Sequence, residues 1–330
     1  MNLTTSYLGL KLANPLVPGA SPLVDNMDSV RRLQDAGAPA IVMHSLFAEQ
    51  LEGNAVAFDR HLGRWQDSFA EATTIFPETG DYPLGPDEYL ERLGCIKRAT
   101  GLPVIASLNG TQLGSWLAYA QLMEEAGADA IELNTYFLAT QPGVTGAELE
   151  QRLVEIARAV RGTVRIPVAV KLSPFYTSVA HLAGWLEEER IDGLVLFNRF
   201  LQPEIDLRTL EVRPHLDLST GEDLRLRLRW LGLLRDQVKL SLACSGGVRT
   251  SDDVVKALLA GADVVQTVAA LLRHGPGEFA DLLAGLRHWM EEHEYDTVSR
   301  MRGALSLRRC PDPEAYERGN YLRAMQLWRD

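Results

Sequence analysis

Cysteine is scarce in this sequence, and features that mark secreted, membrane and metal-cluster proteins are lacking. The three cysteines among 330 residues form no CxxC pair and leave an odd count; they are Cys95, Cys244 and Cys310. This argues against a disulfide framework and against an iron–sulfur centre on this chain, and it suits a reducing cytoplasm. No apolar run approaches the roughly 20 residues of a membrane-spanning helix. The first residues lack a basic segment followed by an apolar core, so no secretory signal is expected.

Positive charge is also in short supply. The chain has 33 Lys and Arg against 44 Asp and Glu, a formal net charge of −11, and no basic patch offsets it. Nucleic acid is therefore not expected as the main partner. Arg225, Arg227 and Arg229 are expected to decorate one amphipathic helix. With 46% apolar and 23% charged residues, the composition is typical of a soluble globular protein, and a small-molecule substrate is expected.

A dinucleotide-binding GxGxxG sequence is absent after the first apolar run. Apolar runs of strand length instead alternate with helical patterns along the chain, which predicts a parallel sheet covered by helices. Eight such runs favour a closed (β/α)8 TIM barrel over an open sheet. The predicted strands are residues 15–21, 40–45, 103–109, 130–135, 167–173, 193–198, 240–244 and 264–268. The predicted helices are residues 28–36, 86–99, 112–126, 145–161, 178–189, 221–236, 252–259 and 276–292.

Four segments are expected to surround a single barrel domain of residues 1–330. Two long connections follow the second and sixth strands, on the side of such barrels that carries active sites, so they are expected to form lids or binding elements, or else oligomer contacts. The segments are an N-terminal hairpin (4–7 and 10–12), a lid loop (46–85), an insertion with a small hairpin (199–220, pairing 205–207 with 210–212) and a C-terminal extension (295–330).

Residues 240–276 show the clearest pattern of strand, glycine turn, helix and strand in the chain. An apolar run is followed by a Ser245-Gly246-Gly247 turn, a helix with Ser251 as the expected N-cap, and a second apolar run. Backbone N–H groups at two such neighbouring strand ends can form a phosphate cradle. The glycines are explained equally well by a tight turn alone, and these residues by themselves leave both interpretations open.

Polar residues occur where the predicted strands end. The presence of Lys171 at the end of a predicted buried strand is not explained by core packing, because lysine is almost never fully buried without a partner. It could form a Schiff base, act as a general base, supply a fixed charge beside an electron-rich cofactor, or be a satisfied structural lysine. Asn134 and Asn198 suit an amide-bearing heterocycle, and His44 could donate to an anion or act as acid or base. The strand-end residues are Ser21, His44, Ser45, Asn109, Asn134, Lys171, Asn198, Ser245 and Thr267.

Seven sequence blocks follow one another in a recognisable order. They are LANPLVPGAS (12–21), LGPDEYLERL (84–93), PVIASLNGT (103–111), IELN (131–134), VKLSP (170–174), SGGV (245–248) and GADVVQTVAALLRHGP (261–276). Each block is weak evidence alone, but their order and spacing resemble the dihydroorotate dehydrogenase family of flavin-dependent (β/α)8 barrels over nearly the whole chain.

The resemblance implies a bound FMN. It would place Lys171 at the edge of the flavin ring, where a cation stabilises the anionic reduced form. The family's Gly-Thr in the last block is replaced by Val268-Ala269, so a hydroxyl contact to the phosphate would have to come from Thr267 or Ser245. The implied cofactor-binding residues are Ala20, Ser21, Ser45, Asn109, Asn134, Lys171, Ser245, Gly246, Gly247, Thr267, Val268 and Ala269.

This chain departs from the resemblance on the substrate side. Phe137 occupies the position of the family's catalytic base, and phenylalanine cannot accept a proton. The candidate catalytic residues are therefore Lys171, His44 and Tyr136. The candidate substrate-binding residues are His44, Asn134 and Asn198. The other departures are His44-Ser45 in place of Lys-Ser, Pro77 near the family's second-loop asparagine, Ala139 in place of its second asparagine, and Arg199 after Asn198.

These observations predict an FMN-dependent, dihydroorotate dehydrogenase-like oxidoreductase that acts on a C–C bond of a small pyrimidine-like substrate. No bound metal is expected, and the chain is expected to form a homodimer. Any iron–sulfur relay would belong to a partner subunit. One alternative is a flavin-free barrel lyase or aldolase that uses Lys171 as a Schiff base. Another is a flavin-binding barrel that does not turn over dihydroorotate.

Overall fold

Eight parallel strands form the centre of the molecule, in a computed structural model that describes residues 1–47, 86–109, 114–135, 138–199, 202–215, 217–316 and 320–326. The described strands are β1 (Thr5–Tyr7), β2 (Leu10–Leu12), β3 (Leu16–Pro18), β4 (Ile41–Phe47), β5 (Val104–Asn109), β6 (Ala130–Asn134), β7 (Val168–Leu172), β8 (Gly193–Leu196), β9 (Gln202–Asp206), β10 (Glu211–His215), β11 (Ser241–Ser245) and β12 (Val264–Thr267). The order of the central sheet is β3-β12-β11-β8-β7-β6-β5-β4, and its edge strands β3 and β4 lie side by side, so the sheet nearly closes into a barrel. This confirms the predicted fold.

Helices surround the strands close to the predicted positions. The exceptions are three short helices that match none of the predicted helices; they are Ala269–His274, Val298–Met301 and Asn320–Gln326. With four to seven residues, each is too short to show a helical period in the sequence. The helices are α1 (Met27–Asp35), α2 (Pro86–Thr100), α3 (Gly114–Glu125), α4 (Gly146–Thr163), α5 (Val179–Glu188), α6 (Gly221–Leu234), α7 (Ser251–Ala260), α8 (Ala269–His274), α9 (Glu278–Glu292), α10 (Val298–Met301) and α11 (Asn320–Gln326). None of these described helices combines the length and the apolar character needed to cross a membrane.

The barrel strands are buried on both faces. The inward residues are small or β-branched and pack into one cluster with Tyr7 and Leu8 of the N-terminal hairpin. The amide of Leu8 donates to the Ser241 hydroxyl at the start of β11. The β1–β2 hairpin therefore closes the N-terminal end of the barrel, as its predicted pairing allows. The inward residues of the barrel cluster are Val17, Val42, Ile105, Ala130, Ala169, Val195, Ala243 and Val264.

The predicted N-cap of α7 is wrong by one residue. Thr250, not Ser251, has the extended cap conformation, and its hydroxyl accepts the amide of Asp253. The Asp253 carboxylate in turn accepts the amide of Thr250, at 3.1 Å. This reciprocal capping box requires an acidic residue three positions after the cap, and Thr250 satisfies that spacing with Asp253.

The three arginines lie on one helix, α6, as predicted, but Arg227 is not on its exposed face. Arg225 is exposed, whereas only 7% of Arg227 is accessible to solvent. Residues two positions apart on a helix point roughly 200° away from each other. Arg227 therefore falls on the face of Leu224 and Leu231, which packs on the barrel.

The insertion after β8 contains the predicted hairpin, since β9 and β10 pair antiparallel with Ile205 opposite Val212. The predicted lid loop lies outside the described residues from position 48 to position 85. Its first two residues, Leu46 and Phe47, belong to β4.

Candidate active site

Polar side chains of neighbouring strands lie at one level near the C-terminal end of the barrel. Asn109 of β5 is in register with Asn134 of β6, and Asn134 is in register with Lys171 of β7. In-register residues of parallel strands point to the same face of the sheet. All three are less than 10% exposed. The structure thus brings together three of the residues that the sequence predicted for one site.

Lys171 is held by a buried carboxylate. Its Nζ donates to Oε1 of Glu132 at 3.1 Å, and Nε2 of Gln266 donates to the other carboxylate oxygen at 2.7 Å. Glu132 and Gln266 are each only 1% exposed. This lysine is therefore one member of a three-residue network inside the barrel, of which the sequence analysis found only Lys171.

The two-residue period of side chains along a strand is the signal that points to Glu132 and Gln266. Glu132 stands two positions before Asn134, so both face the barrel interior. Gln266 is in register with Ser245 and lies one position before Thr267. Thr267 was the predicted polar residue at the end of this strand, and its hydroxyl contacts the carbonyl oxygen of Val248 at 3.5 Å. The interior position on β12 belongs to Gln266.

The two candidate substrate-binding asparagines are joined by a hydrogen bond. Nδ2 of Asn198 donates to Oδ1 of Asn134 at 2.8 Å, and Nδ2 of Asn134 lies 3.5 Å from the Ser45 hydroxyl. The Ser45 and Ser107 hydroxyls are 2.8 Å apart. A continuous chain of amides and hydroxyls therefore crosses β8, β6, β4 and β5, beside Lys171 on β7.

His44 lies apart from this chain. Its Nδ1 is 2.5 Å from Oδ1 of Asp25, and its ring makes an edge contact with Tyr89, with 5.4 Å between ring centroids. Asp25 ends the 3-10 turn Pro22–Asp25, which begins after the buried Ser21. The neighbouring Ala20 packs against the interior barrel cluster. The segment after β3 thus places Ala20 toward the barrel interior and Asp25 beside His44.

The Gly246–Gly247 turn packs closely on α6. Both residues have left-handed backbones, with φ of +92° and +86°. A Cβ on Gly247 would lie 2.4 Å from the backbone nitrogen of Leu224, and one on Gly246 would lie 3.0 Å from a terminal nitrogen of Arg227. The Gly247 amide donates to the Ser219 hydroxyl at 3.0 Å. The turn therefore requires glycine for conformation and packing, whatever it binds.

A tyrosine that the sequence analysis missed stands on the loop after β7. Burial raises the pKa of the Tyr176 phenol to about 12. Thr135 ends the described part of the loop after β6, while Tyr136 and Phe137 lie outside the described residues. A phenol with such a pKa is protonated at neutral pH and is a weaker acid than an ordinary tyrosine. Tyr176 follows the VKLSP block by two residues, which is the signal that could have located it.

The described cysteines do not supply a base. Cys244 is fully buried, and burial raises the pKa of its thiol to about 12. Its side chain belongs to the apolar cluster between the barrel and the helices. No three His, Cys, Asp or Glu side chains are grouped as a metal site would need in the part of the chain that the structure describes.

Comparison with known proteins agrees with this arrangement. The family model described as dihydroorotate dehydrogenase matches residues 2–290. The chain belongs to the dihydroorotate dehydrogenase family. This confirms the resemblance inferred from the sequence blocks, and the family's enzymes are flavoproteins.

The similar proteins are dehydrogenases. The catalytic subunit of dihydroorotate dehydrogenase B (NAD(+)) from Thermoplasma acidophilum is 27% identical, over 92% of this chain and 98% of its own length. The same subunit from Methanothermobacter thermautotrophicus is 29% identical, over 91% and 97%. The NAD-dependent dihydropyrimidine dehydrogenase subunit PreA of Escherichia coli is 24% identical, over 92% of this chain and 76% of its own length. The predicted class, a dihydroorotate dehydrogenase-like oxidoreductase, is confirmed.

Proposed function

We propose that this protein is an FMN-dependent oxidoreductase that interconverts a dihydropyrimidine and a pyrimidine at a ring C–C bond. The observation that carries the proposal is the set of hydrogen-bonded polar side chains at the C-terminal end of the barrel. There the buried Lys171–Glu132 pair lies beside the Asn198–Asn134–Ser45 chain. Relatives named for dihydroorotate and for dihydropyrimidine support the substrate class.

The residues at the mouth fit a flavin. Oε1 of Gln266 is buried without a hydrogen-bond partner among the described residues. A buried acceptor without a donor is costly, so a bound group that supplies an N–H or O–H would stabilise this site. Lys171 offers a cation and the asparagines offer both donors and acceptors. The residues that we propose to hold FMN are Ala20, Ser21, Ser45, Asn109, Asn134, Lys171, Ser245, Gly246, Gly247, Thr267, Val268 and Ala269.

Lys171 would contribute charge rather than covalent chemistry. When bound, the flavin supplies the two-electron redox chemistry of the reaction. A fixed ammonium group at the ring edge favours the anionic reduced state. Glu132 orients that ammonium group by the 3.1 Å hydrogen bond. A Schiff base would need the lone pair of this nitrogen, and its donation to a carboxylate disfavours the lyase alternative.

Substrate recognition would fall to the asparagines. A dihydropyrimidine ring presents alternating C=O and N–H groups, and Asn134 and Asn198 can donate to the first and accept from the second. Their mutual hydrogen bond orients both side chains before the substrate arrives. His44 stays a proposed substrate contact or acid, in addition to its pairing with Asp25.

Proton transfer is proposed for the loops after β6 and β7. Phe137 carries no acid or base, so Tyr136 is retained from the sequence as a catalytic candidate and Tyr176 is added. With a pKa of about 12, Tyr176 is protonated at neutral pH, so its proposed role is that of a weak acid and not of a base.

The assembly is part of the same proposal. Relatives bear names of catalytic subunits, so an electron-transfer partner subunit is proposed for this chain. A homodimer and a cytoplasmic location are carried over from the sequence as proposals.

The test is an anaerobic titration of the FMN-loaded protein. Dihydroorotate and dihydrouracil are added separately to the oxidised protein, and the corresponding pyrimidines are added to the reduced protein. Loss or return of the flavin's visible absorption band with one of these pairs is expected. Asn198→Ala is the matched variant, and we expect it to bind FMN but to react at higher substrate concentrations.

Two outcomes would contradict the proposal in different ways. A protein that takes up no FMN excludes the cofactor. A protein that binds FMN but exchanges electrons with none of the four compounds excludes the reaction and leaves a flavin-binding barrel without this turnover.

A further inference from the structure

Arg227 is a buried cation on α6. Only 7% of its surface is exposed. Its described hydrogen bonds go to carbonyl oxygens, from Nε to Ser245 at 2.9 Å and from Nη1 to Asp223 at 2.7 Å. Its guanidinium carbon is 6.0 Å from the centroid of the Phe197 ring. Within the described ranges, no carboxylate forms an ion pair with this arginine.

A second arginine lies close by, at the end of β8. Nε of Arg199 is buried and has no hydrogen-bond partner among the described residues. Burial lowers the pKa of the Arg227 guanidinium, the nearby Cys244 and Asp223 side chains act in the opposite direction, and the positive charge of Arg199 lowers the pKa further. A buried guanidinium beside a second, half-buried one is unfavourable unless an anion joins them.

The same fold shows how a pair of arginines is normally neutralised. At the opposite end of the barrel strands, Arg235 and Arg302 both bind the Asp263 carboxylate, at 3.0 Å and 2.5 Å. Asp263 precedes β12, so it stands where the strand begins. Among the described residues, Arg199 and Arg227 have no equivalent of Asp263, and they stand where strands β8 and β11 end.

The position of Arg227 relates its charge to the Gly246–Gly247 turn. Its terminal nitrogen is 3.0 Å from the place of a Cβ on Gly246, so the cation lies directly against the glycine turn. One amide of that turn, Gly247, is already occupied by the Ser219 hydroxyl. A doubly charged phosphate at the turn would neutralise both guanidinium groups, and guanidinium is suited to phosphate oxygens.

We propose that Arg227 and Arg199 form a cationic subsite for a phosphate monoester at the Gly246–Gly247 turn. This inference rests on the proposed function, because the monoester is then the phosphate of the flavin cofactor. The subsite adds side-chain charge to whatever the turn amides contribute. It also compensates for Val268 and Ala269, which offer no hydroxyl.

The experiment compares FMN with riboflavin, which has the same ring and no phosphate. Dissociation constants for both are measured by flavin fluorescence on the apo-protein. We expect the wild type to prefer FMN, and Arg227→Met to lose about tenfold or more of that preference, the effect of one charged hydrogen bond. Riboflavin binding should stay unchanged. Arg227→Lys keeps the charge and should keep most of the preference.

Two further variants separate charge from folding. Arg225→Met removes an exposed arginine of the same helix and should leave the preference for FMN unchanged. Arg199→Met changes a partly exposed loop residue, so it decides the question if Arg227→Met does not fold. Added salt should weaken FMN binding in the wild type more than in Arg199→Met.

The outcomes are distinguishable. Equal preference for FMN in the wild type, Arg227→Met and Arg199→Met overturns the subsite while the flavin function stands. Unchanged FMN binding with weakened binding of an anionic substrate such as dihydroorotate would assign the arginines to the substrate and also overturns it. A wild type that binds neither FMN nor riboflavin rejects the proposed function, and the subsite with it.

Discussion

The interior carboxylate Glu132 is the residue on which the site depends most. Its two oxygens accept from Lys171 and Gln266, and none of the three is more than 7% exposed. A buried pair of this kind adds little net stability, but removal of one partner leaves an uncompensated charge. Glu132 therefore sets both the position of the lysine and the cost of changing it.

Glu132→Gln is expected to lower the free energy of unfolding by about 3–5 kcal/mol, because Lys171 would stay buried without its carboxylate. The double variant Glu132→Gln with Lys171→Met should regain part of that loss, since it removes the unpaired cation. Urea unfolding of the four proteins in the cycle measures both effects. A double variant less stable than Glu132→Gln alone would show that the pair is not the source of the cost.

Residues of the site differ in how far the sequence reveals them. Lys171 was found because a lysine at a strand end is rare in packing. Glu132 and Gln266 were missed because their role depends on which strands become neighbours around the barrel, and β6 and β12 are far apart in sequence. The sequence places Arg227 on an amphipathic helix but does not show its burial, because arginine is usually exposed and its position relative to Leu224 and Leu231 is what buries it.

At the scale of elements, the Gly246–Gly247 turn shows how strand and helix constrain each other. The turn ends β11 and rests on the first turns of α6, and the Ser219 hydroxyl connects it to the segment before that helix. The sequence predicted the turn and both elements. It could not show that the glycines face α6, because that contact joins residues about 20 positions apart.

Gly247→Ala is expected to cost ~3 kcal/mol or more, because the new Cβ would lie 2.4 Å from the Leu224 backbone and the residue has φ of +86°. Gly101→Ala is the matched control, since its φ is +64° and a Cβ there would meet nothing within 4 Å. Only the conformational cost of ~1–2 kcal/mol should remain at that position. Thermal and urea unfolding compare the two, and equal losses would contradict the packing account of the turn.

At the scale of the whole molecule, several buried acids are neutral in the folded protein. Burial raises the pKa of Tyr7 and of Tyr89 well above the ordinary value of 10.0. Burial also raises the pKa of Cys244 from 9.0 to about 12. The unfolded chain would release these protons at lower pH than the folded protein does. The stability that depends on them is complete below about pH 9 and is lost as pH rises.

Unfolding free energy is therefore expected to fall as the pH rises above about 9, by about 1.4 kcal/mol per pH unit for each such group above its unfolded pKa. Cys244→Ala should show a shallower decline than the wild type from about pH 9 upward, whatever its absolute stability. Urea unfolding at several pH values gives the slopes. Parallel slopes for the two proteins would contradict the assignment of the buried thiol.

The overall architecture was the most predictable level. Strands that are apolar on both faces and alternate with helices admit few folds, and eight of them admit the barrel. The polar layer at its mouth was less predictable, because it depends on the register between strands such as Asn134 beside Lys171. The position of Phe137 leaves the proton-transfer residue to experiment.

The central proposal is that Lys171 faces the ring of a bound FMN. The most direct measurement is the two-electron reduction potential of bound FMN in the wild type and in Lys171→Met. The account predicts a lower potential in the variant, by about 30 mV for each 1.4 kcal/mol of lost stabilisation of the reduced anion. An unchanged potential in a variant that folds and binds FMN would contradict it.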